Sequence, residues 1–366
     1  MISHSEGTRN FRGRNARALG LHSSGSTCRG FSLPELLVSM AVLLVVAGAV
    51  ISMISYNQNA YGRTEQQSDM YENVRAVAEL MAQEVGQAGF VDLPGGGTSG
   101  ATLSAAVTKS ATAQTVAVSS TTSMYAGEIL LVDAGPNEEP VTITSLTSTS
   151  ITGIFLNSHA SSAPIHAIGV SPYGIVSPSS TATTTTTGNI SCVTVPSGMA
   201  AYTATDGSTC NVLNLWGDLN SDGSLVYVRY TCNFPTTFGT TTTPGTLTRS
   251  VTTITPGANT ISTAQTLLST LNQNPPSSAP TPCFQYDIST QQITVGTTTS
   301  TYYMVANIGL TLSVQSLRPD PATNQYLSMT KSFLDLSPRN ILAGYEQANW
   351  GDASRLQPQP PNVTLY

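Results

Sequence analysis

From Leu36 to Ile54 the chain reads LLVSMAVLLVVAGAVISMI, a run without a single charged residue. A helix that is apolar all round has no face to offer water, and at about 1.5 Å per residue this one reaches about 28 Å, enough to cross the hydrocarbon of a bilayer once. Further on the pattern becomes one-sided. Tyr71, Val74, Ala78, Met81, Val85 and Ala88 step by three and four, while Glu72, Arg75, Glu79 and Gln83 fall elsewhere, with Arg75 and Glu79 at i, i+4 spacing. Gly86 and Gly89 end the run. The pattern predicts one helix of about 55 to 60 residues, apolar at its start and amphipathic at its end.

After the helix the period changes from that of a helix to that of strands. Asp92 to Thr112 is rich in Gly, Ser and Thr and reads as a linker. Gln114 to Ser119, Glu128 to Val132, Val141 to Thr144 and Ser150 to Leu156 are short, β-branched and punctuated by turn residues such as Gly135-Pro136-Asn137, which predicts a small antiparallel β module over 113–170. A second β region covers 171–366. Its clearest strands are Leu225 to Tyr230 and Ile308 to Val314, where Ile308, Leu310, Leu312 and Val314 alternate with Gly309, Thr311 and Ser313. The threonine runs Thr183 to Thr187, Thr240 to Thr243 and Thr297 to Thr299 read as solvated loops, and no internal repeat is visible. The expected class is α+β: a long N-terminal helix packed on an antiparallel sheet, with an extra β module.

Composition sharpens this picture. Only 9% of the 366 residues are charged, against roughly 25% in an ordinary soluble domain, and Thr and Ser fill the deficit. That balance suits an exported β-rich surface. The first thirty residues hold Arg9, Arg12, Arg14, Arg17 and Arg29 against Glu6, so the remainder is more acidic than the net charge of −6 for the whole chain. An acidic head lacks the basic footprint of a nucleic-acid binder. The basic segment before the apolar run, with no basic residue after it until Arg63, predicts a cytoplasmic N-terminus and an exported head.

Cys28 precedes the span, whereas Cys192, Cys210, Cys232 and Cys283 lie in the head. Removal of a leader would leave an even set, as disulfides in an oxidising compartment require. Four cysteines allow three pairings; the nearest-neighbour arrangement, Cys192 with Cys210 and Cys232 with Cys283, is the working expectation. No C-x-x-C pair points to zinc or redox chemistry.

Two readings of the N-terminus compete. Ala47-Gly48-Ala49 would serve an ordinary signal peptidase and release a soluble head. Gly30 to Leu37, GFSLPELL, argues for another fate: a small residue at a cut site, an aromatic after it, and Glu35 abutting the apolar run. A carboxylate beside hydrocarbon costs at least a few kcal/mol and calls for a partner. At these residues the sequence resembles the type IV prepilin family. The resemblance implies cleavage between Gly30 and Phe31 by a prepilin peptidase and methylation of the new Phe31 amine. It also implies pairing of Glu35 with the N-terminal amine of a neighbouring subunit during assembly. Pro34 departs from the commoner apolar residue, which the first turn of a helix tolerates. The implied organisation is a leader over 1–30, a transmembrane and amphipathic helix over 31–90, a linker over 91–112, the module over 113–170 and a disulfide-stapled head over 171–366.

In the head, LWGDLNSDGSLVYVRYTC, LTRSV, PCFQY and DLSPRN are similar to the larger minor pilins of the PilW type. That likeness implies a structural subunit, not an enzyme, which primes or decorates a pilus. Its partners would be other pilins or pseudopilins, the peptidase, the inner-membrane assembly machinery and membrane lipid. The alternatives are a minor pseudopilin of type II secretion and a pilus-tip adhesin or membrane-anchored binding protein.

Three features carry candidate chemistry. Asp218, Asn220 and Asp222, followed by Gly223, have D-x-N-x-D-G spacing that suits calcium, although the twelfth position is Arg229 rather than Glu; the competing reading is a polar hairpin turn. His159 and His166, in NSHASSAPIHAIG, are the bases available to a hydrolase, and no G-x-S-x-G or H-E-x-x-H motif accompanies them, so a solvated loop is the expectation. Trp216 and Trp350 read as packing residues.

Overall fold

The computed structural model describes residues 30–93, 100–176, 193–194, 210–235, 239–254, 260–277, 280–295, 298–350 and 355–361. Helix α1 runs from Leu33 to Gln87, 55 residues, as the pattern predicts. The chain divides into two units, Met1–Gln58 and Asn59–Tyr366. In the first, every residue from Gly30 to Gln58 is exposed, and Phe31, Leu43, Leu44, Val45 and Ile51 present bare hydrocarbon. The helix is long and apolar enough to cross a membrane.

In the second unit α1 acquires a buried stripe, Met70, Val74, Val77, Ala78, Met81 and Val85, which Ala88 continues in the turn just after the helix. These share one core with Leu213, Leu215, Val228, Tyr230, Leu247, Phe284, Ile308, Leu310 and Leu312 of a ten-stranded sheet. The sheet is antiparallel except where Val193–Thr194 pairs in parallel with Tyr286–Asp287. Its longest ladder joins Phe284–Val295 to Thr298–Gln315, with Ser328–Leu336 on the other side of the latter strand. Tyr71, assigned to the apolar face by its spacing, is instead 49% exposed, with the Lys331 ammonium 4.6 Å from its ring centroid. An aromatic at the margin of the stripe is covered by a cation in place of the core.

One buried position on α1 is charged. Glu84 accepts hydrogen bonds from the Tyr230 hydroxyl and from the Arg249 guanidinium, whose Nε lies 3.1 Å from Glu84 Oε1. This network pins the helix to two adjacent strands, Val226–Asn233 and Gly245–Thr253. Burial and the Glu84 carboxylate together push the Tyr230 hydroxyl well above its ordinary pKa.

α1 ends in a tight crossing. Gly89 has φ +77°, and a Cβ there would lie 2.4 Å from the Ser171 carbonyl oxygen; one on Gly174 would lie 2.1 Å from the Gly89 nitrogen. Only glycine permits that approach. The chain then enters Phe90–Leu93, which pairs with Pro164–Val170. Around that strand a five-stranded sheet and a three-stranded sheet enclose a second core: Leu103, Val107, Leu130, Val132, Val141, Ile151, Phe155 and Ile165.

The stretch read as a linker differs from that expectation. Ala101–Thr102 is a strand paired with Pro164–Val170, and Leu103 and Val107 are buried. Their isolated apolar side chains among Gly, Ser and Thr give no period, yet each finds a place in the core. Trp216 and Tyr227 of the large sheet, with Leu225 and Ile254 just outside its strands, complete the same cluster, so the module and the sheet share packing. A short helix α2, Arg339–Asn349, buries Ile341, Gly344, Tyr345 and Ala348.

Thr240, Thr242 and Thr243 lie exposed in a loop, as expected, but the other described threonines of these runs are held more firmly. Thr298 and Thr299 lie in a strand, and Thr241 is held by Gln315, whose amide donates to the Thr241 carbonyl at 2.6 Å and accepts its N–H at 2.9 Å. Thr183 to Thr187 fall outside the described residues.

Candidate functional site

The start of α1 is built by four residues. Ser32 precedes the first helical residue, and its carbonyl accepts the N–H groups of Glu35 and Leu36 at 3.0 and 3.1 Å. Glu35 reaches back: one carboxylate oxygen accepts the Ser32 N–H at 3.4 Å and the Ser32 hydroxyl at 3.3 Å. This is the reach-back half of a capping box, and it places a negative charge at the positive end of the helix dipole. Pro34 is the second helical residue, where its missing N–H would have had no partner. The S-x-x-E spacing from Ser32 to Glu35 was the signal by which Ser32 could have been singled out from sequence.

The geometry leaves the chemistry of this end open to others. Phe31 is 81% exposed, and a Cβ on Gly30 would meet nothing within 4 Å. The fold itself therefore makes no demand for glycine there. Glu35 is exposed, and among the described residues its bonds are to Ser32 alone.

The other sequence candidates are placed as follows. Cys232 and Cys283 are joined by a disulfide, linking the strand Val226–Asn233 to the residue before Phe284–Val295. Cys210 is also disulfide-bonded, and Cys192 lies outside the described residues. In the loop proposed for calcium, Asp218 is buried, and its two carboxylate oxygens accept the N–H groups of Asp222 at 3.0 Å and Gly223 at 2.9 Å. Asp222 in turn accepts the Ser224 N–H at 2.8 Å. Asn220 is exposed. Burial raises the Asp218 pKa, and the two backbone donors oppose that rise. Each bond found here is one that a hydrogen-bonded turn makes, and among the described residues no group of three His, Cys, Asp or Glu is placed to hold a metal ion. Arg229, at the twelfth position, donates to Asn214 on the adjoining strand at 3.0 Å.

The histidines are not solvated loop residues. His159 is buried, its Nδ1 3.1 Å from Asp133 Oδ2 and its Nε2 2.7 Å from Glu139 Oε1. His166 belongs to the strand Pro164–Val170, opposite Leu131. The carboxylates that draw His159 inward lie 26 and 20 residues away in sequence, beyond any local pattern. Trp216 is buried and donates its indole N–H to the Tyr173 carbonyl at 2.9 Å. Trp350, expected to pack, is 84% exposed at the end of α2.

Residues 25–51 match the family model of the prokaryotic N-terminal methylation motif. No curated protein and no solved structure matches the chain. The matched segment takes in Gly30, Phe31, Ser32 and Glu35 and most of the apolar run, so over these residues the chain is similar to type IV prepilin-like proteins, pilins and pseudopilins alike.

Proposed function

We propose that this chain is a minor subunit of the PilW type, which primes or decorates a type IV pilus and catalyses no reaction. In this reading a prepilin peptidase cuts between Gly30 and Phe31 on the cytoplasmic face and the Phe31 amine is methylated. The span then leaves the inner membrane as the subunit enters a filament beside other pilins, with the β-rich head outside the bilayer. One observation carries the proposal: an uncovered apolar helix begins with a carboxylate whose bonds within the described chain are to Ser32 alone. Hydrocarbon of that extent needs lipid or other helices around it, and a carboxylate moved among such helices needs a cation. A methylated amine on the first residue of a neighbour supplies that charge. The calcium reading of Asp218, Asn220 and Asp222 forms no part of this function.

Mass spectrometry of the mature N-terminus tests it. A chain beginning at methylated Phe31 is the expected result, and one beginning at Val50, after Ala47-Gly48-Ala49, would replace the filament by a secreted head. Recovery in sheared pili, as against a secretion-dependent pseudopilus, separates the pilus from the secretion alternative.

A further inference from the structure

The large sheet opens into a fork. The strand Gln265–Asn272 has Gly245–Thr253 along one side, but on the other it meets Thr298–Gln315 only at Leu271, opposite Val314, and at Asn272, opposite Ser313. Beyond that point the two part, and the next residues of each, Leu267 to Thr270 and Gln315 to Arg318, line a cavity of about 680 Å³. α1 supplies a third wall between Gly62 and Val74, and a Cβ on Gly62 would meet nothing within 4 Å. The N–H and C=O groups of a strand point alternately to its two sides. Those of Leu267 to Thr270 that turn away from Gly245–Thr253 therefore face the cavity, and among the described residues no strand pairs with them there.

An open strand edge is completed by another strand, and alternate side chains of that strand would point at α1. The wall that α1 presents says what one of them must carry. Glu65 and Asp69 line the cavity one helical turn apart, where like charges repel. Both are exposed, and among the described residues neither is in an ion pair. Gln66, beside them, has a buried Oε1 that no donor reaches, an uncommon state for a buried acceptor. These acceptors call for a cation with N–H groups to donate. The cation of the lining, Arg318, is exposed on another wall, and Arg63 faces the buried Asp320 carboxylate at 3.9 Å. Buried Met70 and Val74 and the exposed Leu317 offer apolar contact beside the charged groups.

We propose that the fork is a strand-addition site: an extended segment of a partner protein pairs with the open edge at Leu267 to Thr270 and lays a Lys or Arg side chain against Glu65, Gln66 and Asp69. The inference concerns the head and does not rest on the filament reading. Its test uses the full-length chain in lipid nanodiscs, with empty nanodiscs as the blank, and dye-labelled peptides of alternating threonine and valine read by fluorescence anisotropy. One peptide has a central lysine, one has glutamate in its place, and one has the lysine on an N-methylated backbone. Saturable binding of the lysine peptide is expected, with the other two weaker by about tenfold or more. Amide hydrogen exchange at Leu267 to Thr270 is expected to slow in the complex. The double variant Glu65→Gln with Asp69→Asn loses about tenfold or more in affinity and keeps its unfolding midpoint, since both side chains are exposed. Absence of saturable binding, equal binding of the three peptides, or equal affinity of the parent and the double variant overturns the proposal. Free lysine amide competing as well as the lysine peptide overturns it too, because the strand edge would then play no part.

Discussion

Two carboxylates show how differently one functional group is used along this chain. Glu35 sits in the open at the start of α1, bonded to Ser32. Replacement by Ala is expected to lower filament incorporation by about tenfold or more while leaving the membrane level of the protein unchanged. Glu35→Gln separates the two roles, because it keeps the reach to Ser32 and removes the charge. Incorporation restored by Gln would make Glu35 a helix cap only. Glu128 is the opposite case: fully buried, accepting the Tyr125 N–H, its pKa pushed by burial from 4.5 up to about 8. A carboxyl raised in the folded state contributes stability that is complete below pH 4.5 and is lost as pH rises through the folded value near 8. The full effect has a scale of about 5 kcal/mol. Glu128→Gln is expected to flatten the pH dependence of denaturant unfolding across that window and to stabilise the protein at neutral pH.

At the scale of elements, α1 was the most legible part of the sequence, because a continuous apolar run and a period of 3.6 both survive any tertiary context. Its inner face was less so. Spacing selected Val74, Ala78, Met81, Val85 and Ala88, all buried, but gave no reason to place Glu84 among them. The reason lies in Tyr230 and Arg249, some 146 and 165 residues further on. Loss of the cation leaves a buried charge uncompensated, so Arg249→Met is expected to cost about 3 to 5 kcal/mol in chemical unfolding. Glu84→Gln in the same background is expected to recover part of it. The strand Ile308 to Val314 was also readable from its alternation, although Thr311 and Ser313 on its polar face are buried as well, paired with Ser332 and Thr330 of the next strand. The calcium-like loop was ambiguous because Asp, Asn and Gly serve ion ligation and turns alike, and the bonds of Asp218 are those of a turn.

At the scale of the whole molecule, long-range contacts stitch the second unit together. The Cys232–Cys283 bridge spans 51 residues. In the chain-entropy model its removal by Cys→Ser at both positions is expected to cost about 4 kcal/mol, measured as the shift in unfolding midpoint under oxidising conditions. Gln357 donates to the Ile129 carbonyl at 2.9 Å and accepts its N–H at 3.0 Å across 228 residues, and the Pro358 carbonyl accepts the Tyr125 hydroxyl at 2.8 Å. The C-terminal segment thus closes the module that the helix opens. By itself the sequence determined the apolar run, the helix that continues it, the β character of the rest and the N-terminal motif, because each is written in neighbouring residues through periodicity, charge and spacing. Only the tertiary structure decided that 100–112 joins a core, that Glu84 and His159 are buried, and that the large sheet forks beyond Leu271 and Val314. Each of those depends on partners brought together from distant parts of the chain, and a local pattern carries no record of them.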